Sequence, residues 1–332
     1  MTNDSFKALI VNKKEDTFSV KIDQLTLDAL PAGEVLIKVA YSSINYKDGL
    51  ATIPDGNIVR SYPFVPGIDL AGVVVSSGDP RFHEGDEVIA TSYEIGVSHF
   101  GGYSEYARIP ADWIVPLPKN LTLKEAMIYG TAGFTAALSI FKLEESGVTP
   151  EKGKVLVTGS TGGVGSMACA MLSKKGYQVV ASTGKDSEHE FLKQLGAAEI
   201  ISREEVVGDK VNALDKQLWT AAVDPVGGGT LAAILSKIDY GGAVAVSGLT
   251  GGPKVPTTVF PFILRGVRLL GIDSVYCPMD IRLKVWDRMA NDYKPSSALL
   301  QSIEKEITFD ALPDYLPLLL KGQARGRFVV KL

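Results

Sequence analysis

Cysteine and histidine are scarce in this chain, and each shortage argues against a kind of chemistry. There are 2 cysteines and 3 histidines in 332 residues. Cys169 and Cys277 lie far apart, which argues against a disulfide framework and for a reducing compartment. A structural zinc lobe of four cysteines cannot be built from two. His83, His99 and His189 are scattered without ligand spacing and read as surface or loop histidines, so no metal site is expected. An excess of positive charge is lacking as well. The formal net charge is −4 with no long basic run, which argues against nucleic acid or an anionic membrane as the main partner. The first residues, Met1-Thr2-Asn3-Asp4-Ser5, carry no apolar signal core. The uncharged, helically spaced stretch Ala126 to Phe141 is shorter than a bilayer span and contains Gly130, Thr131, Gly133 and Thr135. The expectation is a soluble cytoplasmic protein.

What is present is an ordinary globular composition, 45% hydrophobic and 22% charged, in a chain long enough for two domains. The first part reads as mostly β. Lys7–Val11, Glu34–Tyr41 and Ala71–Val75 are short β-branched runs, punctuated by Pro63, Pro66, Gly67, Gly78, Pro80 and Gly85. Leu123 to Ala137 has helical spacing, and from Lys154 strand and helix alternate. Strands are predicted at 155–158, 178–182, 198–202, 219–223 and 243–247, with a sixth at Arg268–Ile272. This is the pattern of a doubly wound parallel sheet covered on both faces. The predicted division is a barrel-like β domain of residues 1–124 and 280–332 around a Rossmann domain of residues 125–279.

The centre of that second domain is Val155 to Leu172: a short apolar strand, the Gly-rich turn Gly159-Ser160-Thr161-Gly162-Gly163-Val164-Gly165, then small and apolar residues at helical spacing. Unpaired N–H groups and the helix dipole make such a turn a phosphate site. Gly162 lets the backbone approach a pyrophosphate and Gly165 lets the helix pack on the strand. The motif is imperfect, with Ser160 where the first glycine of G-x-G-x-x-G would stand. The next strand ends in Ser182-Thr183-Gly184-Lys185, with no carboxylate before Asp186. A carboxylate there would repel a 2′-phosphate, whereas Ser, Thr and Lys can donate to it, so NADPH is expected over NADH. The alternative is that Lys185 is only a solvated residue at a helix start.

Several stretches carry a family resemblance: Ser43-Ile44-Asn45-Tyr46-Lys47-Asp48, Pro66-Gly67-Ile68-Asp69, Gly130-Thr131-Ala132-Gly133-Phe134-Thr135-Ala136, the Gly159–Gly165 turn, and Pro256 to Arg265. With them the whole chain resembles the medium-chain dehydrogenases/reductases. Within these it resembles the YhdH/YhfP quinone-oxidoreductase subfamily, which includes acrylyl-CoA reductases. The resemblance implies a GroES-like β domain beside the Rossmann domain. The zinc-dependent relatives carry a catalytic Cys and a Gly-His-Glu motif. Here the corresponding stretches read Asn45-Tyr46-Lys47-Asp48 and Gly67-Ile68-Asp69.

Without a metal to polarise a carbonyl, hydride transfer from NADPH to an activated C=C bond or a quinone fits better than alcohol oxidation. The resemblance puts Asn45-Tyr46-Lys47-Asp48 at the nicotinamide pocket. Tyr46 is the first catalytic candidate, as acid or as cofactor contact; Asn45 is placed to donate to a substrate carbonyl, and Asp48 to hold the loop. The alternative is a turn with a packed tyrosine. Thr131, Ser160, Thr161, Gly162, Gly163, Val164, Ser182, Thr183, Gly184, Lys185, Arg203, Leu249, Ile263, Ser274 and Arg327 carry over as cofactor contacts, the arginines having a surface ion-pair alternative. The loop Tyr93 to Tyr103 is expected as cleft wall and lid. Lys47 and Arg60 are candidates for CoA phosphates. The leading expectation is an NADPH-dependent reductase of an α,β-unsaturated thioester such as acryloyl-CoA; NADPH:quinone oxidoreductase and a catalytically idle NADPH-binding protein are the alternatives. Relatives pair through the strand around Arg268–Val275, which implies a homodimer.

Overall fold

Two kinds of apolar pattern in the chain become two kinds of sheet. The structure, a computed structural model, describes residues 5–14 and 17–332. The chain divides into two compact units. One comprises the residues up to Thr131 together with Val275–Leu283 and Glu304–Leu332; the other comprises Ala132–Ser274 and Lys284–Ile303.

In the second unit the short runs of Val, Leu, Ile and Ala, hydrophobic on both faces, form a six-stranded parallel sheet among the described residues. Its strands lie side by side in the order Glu199–Ile201, Gln178–Ser182, Lys154–Val157, Trp219–Asp224, Ile238–Val246 and Arg268–Gly271. In chain order that is third, second, first, fourth, fifth, sixth. The order reverses beside Lys154–Val157, at the switch point where open α/β sheets bind ligands beyond the strand carboxyl ends. Leu156, Val180, Ala222, Ile234 and Val244 pack in one core between the sheet and helix Gly228–Lys237. Every predicted strand of this sheet is present, though the fifth begins at Ile238, earlier than its hydrophobic run suggested.

The first unit carries a mainly antiparallel sheet built about Val35–Ser43. One edge of this strand pairs with Asp69–Ser77; the other pairs first with Tyr106–Ile109 and then with Arg327–Lys331. Register shifts at Leu36/Ile37 and Val39/Tyr41 bend it. Glu304–Thr308 lies parallel to Arg327–Lys331, so the end of the chain returns to this unit.

The predicted single tail from residue 280 differs from the structure at 284–303. Trp286 is buried against Phe134, and Arg288 and Tyr293 reach Glu144 at 2.7 and 2.8 Å, all within the second unit. The helix predicted at 123–137 runs from Leu123 to Glu145 and is interrupted at Gly130 (φ 49°, ψ −157°). By length and composition it could cross a membrane, but 83% of its most apolar window is buried, as in a core helix.

Candidate active site

In the first unit the side chains near Tyr46 converge where three strands end together. Ser43 closes the strand Val35–Ser43, Asp69 opens Asp69–Ser77, and Arg327 opens Arg327–Lys331, which runs antiparallel to the first. All three are buried. Asp69 accepts hydrogen bonds from Ser43 Oγ (2.6 Å), Asn45 Nδ2 (2.7 Å), the Thr131 amide (2.8 Å) and Thr131 Oγ1 (2.5 Å), with Arg327 at 3.8 Å. Arg327 in turn donates to the carbonyls of Ile128 and Ile44, to Asn45 Oδ1 and to Ser43 Oγ. Burial draws this guanidinium below its ordinary value, and the Asp69 and Asp48 charges oppose that.

Asn45 precedes the short helix Tyr46–Ala51, and Asp48 three residues later reaches back to the Asn45 amide at 2.8 Å, as in a capping box. The other Asp48 oxygen accepts the Ile68 amide at 2.9 Å. Burial and the neighbouring Asp69 charge push the Asp48 carboxyl up to about 7, against the pull of these hydrogen bonds. Tyr46 alone of this segment faces outward, at 50% exposure.

Three expectations need correction. Asn45 is 8% exposed, its amide nitrogen directed to Asp48 and Asp69 and its oxygen taken by Arg327, so it is not placed to donate to a substrate carbonyl. Arg327 is not presented to a cofactor either; its guanidinium is enclosed in the network above. The loop Tyr93 to Tyr103, expected as a lid, is tied down. The amides of Gly101, Gly102 and Tyr103 donate to Val65, Gly67 and Pro66, and the Tyr93 ring lies against Trp113 and 4.4 Å from the buried Arg282 guanidinium. Glu94 accepts from Ser98 and Tyr276; these bonds, with the nearby charges of Lys47 and Arg60, hold its carboxyl below the usual value. Lys47, the residue after Tyr46, and Arg60 thus both lie within electrostatic reach of Glu94.

In the second unit the Gly-rich turn takes the expected strand–turn–helix form. Gly159 is left-handed (φ 54°), and helix Gly163–Lys174 begins so close that a Cβ on Gly165 would overlap the Gly159 carbonyl. Gly162, Gly163 and Val164 stand partly exposed at the helix start. Ser160 is buried and donates to the Val157 carbonyl at 2.7 Å, so its side chain shapes the turn; Thr161 is nearly buried. At the end of the next strand Ser182 and Thr183 are buried, while Gly184, Lys185 and Arg203 come to the surface together. A Cβ on Gly184 would meet Arg203 Nε at 3.0 Å. Ser274 is buried and accepts from Thr135 Oγ1 at 2.8 Å, whereas Leu249 and Ile263 are exposed at 65% and 68%.

Sequence reasoning passed over Asp224. This buried residue at the end of Trp219–Asp224 accepts from Thr158 Oγ1 (2.5 Å) and from the amides of Val226 and Gly227 (both 3.0 Å), joining the two turns at the switch point. Its signal was the Asp-Pro pair at a strand end, a turn marker. Burial raises its carboxyl, and these three bonds lower it.

Residues 31–119 match the family described as alcohol dehydrogenase GroES-like domain, and residues 163–291 the one described as zinc-binding dehydrogenase. The putative quinone oxidoreductase YhfP of Bacillus subtilis (strain 168) is 62% identical over 98% of this chain and 99% of that protein. The chain belongs to the YhdH/YhfP subfamily of the medium-chain dehydrogenases/reductases. The crystal structure of B. subtilis yhfP with NAD bound superposes with a TM-score of 0.97 over 99% of both chains. The yhdH oxidoreductase of Salmonella enterica in complex with NADP is 46% identical, with a TM-score of 0.95 over 98% of this chain and 99% of that one. Acrylyl-CoA reductase AcuI of Ruegeria pomeroyi is 47% identical over 98% of each chain.

The description of the family matched by residues 163–291 implies zinc, and the donor set does not fit it. Among the described residues no group of three or more His, Cys, Asp or Glu is disposed to hold a metal ion. Both cysteines are buried, and the oxygens of Asp48 and Asp69 already accept N–H and O–H donors. The Gly-rich turn, by contrast, fits a dinucleotide phosphate: Gly162, Gly163 and Val164 are partly exposed at a helix start, and the first amides of a helix have no partner within it.

The raised Asp48 carboxyl has a signed consequence for stability. Between about pH 4 and about pH 7 the native protein holds a proton that the unfolded chain has lost, so this residue's contribution to stability falls as pH rises through that window. Asp48→Asn removes the titration. The stability of wild type minus variant, read from denaturant midpoints, should therefore shrink from about pH 5 to about pH 8; a constant difference would contradict the shift.

Proposed function

We propose that this protein is an NADPH-dependent reductase that adds hydride, without a metal, to the activated C=C bond of an α,β-unsaturated thioester or carbonyl of the acryloyl-CoA kind. The observation that carries the reading is the arrangement around Tyr46. Asn45, Asp48 and Asp69 are occupied with one another and with backbone, and the exposed phenol stands apart beside Lys47. That surface suits an acceptor already polarised by its own carbonyl. The 47% identity to an acrylyl-CoA reductase over 98% of the chain supports the same reading.

NADPH supplies the hydride to the β-carbon when bound. The chain's part is to hold the cofactor phosphates at Gly162, Gly163 and Val164, and the 2′-phosphate at Lys185 and Arg203. Tyr46 is assigned the role of acid: its hydroxyl donates to the developing enolate oxygen or delivers the proton to the α-carbon. Lys47 and Arg60 offer positive charge to the phosphates of a CoA thioester.

The deciding measurement is NADPH oxidation with acryloyl-CoA and 9,10-phenanthrenequinone side by side. A kcat/KM larger by at least about tenfold for acryloyl-CoA is expected. The reverse ratio would assign a quinone reductase, which the name of the B. subtilis relative favours. NADPH binding without turnover of either would leave an idle NADPH-binding protein.

Cofactor choice is tested separately. Lys185→Glu should weaken NADPH by roughly tenfold or more while leaving NADH within about twofold. Equal losses would place the 2′-phosphate elsewhere.

We also propose that the protein is a cytoplasmic homodimer pairing through the edge strand Arg268–Gly271. Leu269 on that strand, and Phe260, Ile263 and Leu264 on the helix Phe260–Arg265 before it, are exposed apolar residues next to unpaired strand backbone. Sedimentation should show a species of twice 35.5 kDa; the 35.5 kDa species alone would contradict the dimer.

A further inference from the structure

The helix that begins with Tyr46 has 6 residues, too few to be stable by itself. What holds it is the polar network beneath. Two buried carboxylates and a buried guanidinium are a costly way to stabilise a fold, because desolvation offsets most of their attraction and apolar side chains of similar volume commonly serve as well. Here the cost is compounded. The network closes only because residue 130 is a glycine in the left-handed region, where a Cβ would overlap Asp69 Oδ2 and Ser43 Oγ and lie 2.7 Å from an Arg327 nitrogen. Both costs fall at one place, directly under the exposed phenol.

The network also has a direction. The single hydroxyl hydrogen of Thr131 goes to Asp69 Oδ1, so in the 3.0 Å pair of Ser92 Oγ and Thr131 Oγ1 it is Ser92 that donates. Ser92 itself is a non-glycine residue at φ 66°, held by its amide on the Ile68 carbonyl at 2.8 Å. Asp69 thus collects, in one fixed arrangement, the strand end at Ser43, the side-chain Nδ2 of Asn45, the residue before Tyr46, and the backbone and hydroxyl of Thr131.

We propose that Asp69, with Arg327 as its counter-ion, is a positioning residue for the reduction: it fixes the Asn45–Tyr46 turn and the Thr131 hydroxyl in register with each other and acts on the reaction through Tyr46, without touching the substrate. This deepens the reductase reading and rests on it. A residue in this role changes the orientation of the acid or cofactor contact, so its loss lowers kcat and leaves cofactor affinity nearly intact.

The test is a double-mutant cycle between Asp69→Asn and Tyr46→Phe on the full chain with NADPH and whichever of the two acceptors the wild type turns over. Asp69→Asn should lower kcat by at least about tenfold with the KM for NADPH within about twofold, and should cost almost nothing further in the Tyr46→Phe background. Unchanged kcat, or losses that simply multiply, would overturn the proposal. If Asp69→Asn does not fold, Ser43→Ala removes one donor to the same carboxylate, and the same cycle is run with it; a kcat loss of roughly threefold that vanishes without the Tyr46 hydroxyl is expected. Hydrogen exchange supplies an arm independent of turnover: in Asp69→Asn, peptides covering 43–48 and 128–131 should exchange faster while that covering 154–157 does not change. A wild type silent with both acceptors would overturn the reductase reading and the catalytic half of the proposal with it. Unchanged exchange at 43–48 would overturn the clamp whatever the activity.

Discussion

The first unit is organised by a carboxylate that the sheet has taken out of water. Asp69 lies at the start of its strand with no exposure, and the groups that turn toward it come from three stretches distant in the chain: Ser43 with Asn45, Thr131, and Arg327. A buried charge left unpaired costs far more than the net gain from pairing it, so these partners hold their places through the penalty of leaving. The arrangement converts a weak local preference, one short helix behind an asparagine, into a segment with a single orientation. The strand ends, the break at Gly130 and the turn at Ser92 all follow from satisfying that carboxylate.

The second unit repeats the device at its own switch point. Asp224 also ends a strand, is also buried, and also joins segments distant in sequence, here the turn after Lys154–Val157 and the turn after its own strand. In each unit a parallel or antiparallel sheet brings the strand ends together, and one aspartate decides what the loops beyond them do. The exposed candidates, Tyr46 in one unit and Gly162 to Val164 in the other, sit on loops so fixed. Rigid support under an exposed reactive group is what proximity and orientation demand of a site.

The sheet of the second unit was legible because its signal is local and redundant. Continuous β-branched runs, Gly-rich turns and helices of matching length alternate, and their order in space follows from right-handed crossovers. The strand–turn–helix form of the Gly-rich turn was legible for the same reason, even with Ser160 in place of a glycine. The polar network was not. Nothing in the spacing of Ser43, Asp69, Thr131 and Arg327 shows that they meet, since their contacts span up to 284 positions and depend on strand pairing at the end of the chain. That is why Arg327 read as a cofactor contact and Asn45 as a donor to substrate. Both are polar residues in the right neighbourhood, and only the completed hydrogen bonds show that their capacity is filled. Residues 284–303 escaped for a related reason: Trp286 and Tyr293 are core residues whose partners, Phe134 and Glu144, lie about half a chain away.

Overall likeness says less about the cofactor than about the fold. The relative at 62% identity was crystallised with NAD, and the one at 46% with NADP, while both superpose on this chain almost end to end. Discrimination between the two must therefore rest on a few atoms around one hydroxyl of the adenine-side ribose, against a background of shared phosphate contacts. In the function proposed above those atoms belong to two segments: Gly184 and Lys185 after one strand, Arg203 after the next. They are brought side by side by the parallel register of Ile201 with Ser182. A glycine at 184 lets the Arg203 guanidinium lie against the backbone there, and a larger residue would push it away. Lys185 adds a charge one residue on. Both positions come to the surface after their strands, so a change there alters the charge beside the ribose while the buried sheet is left as it is.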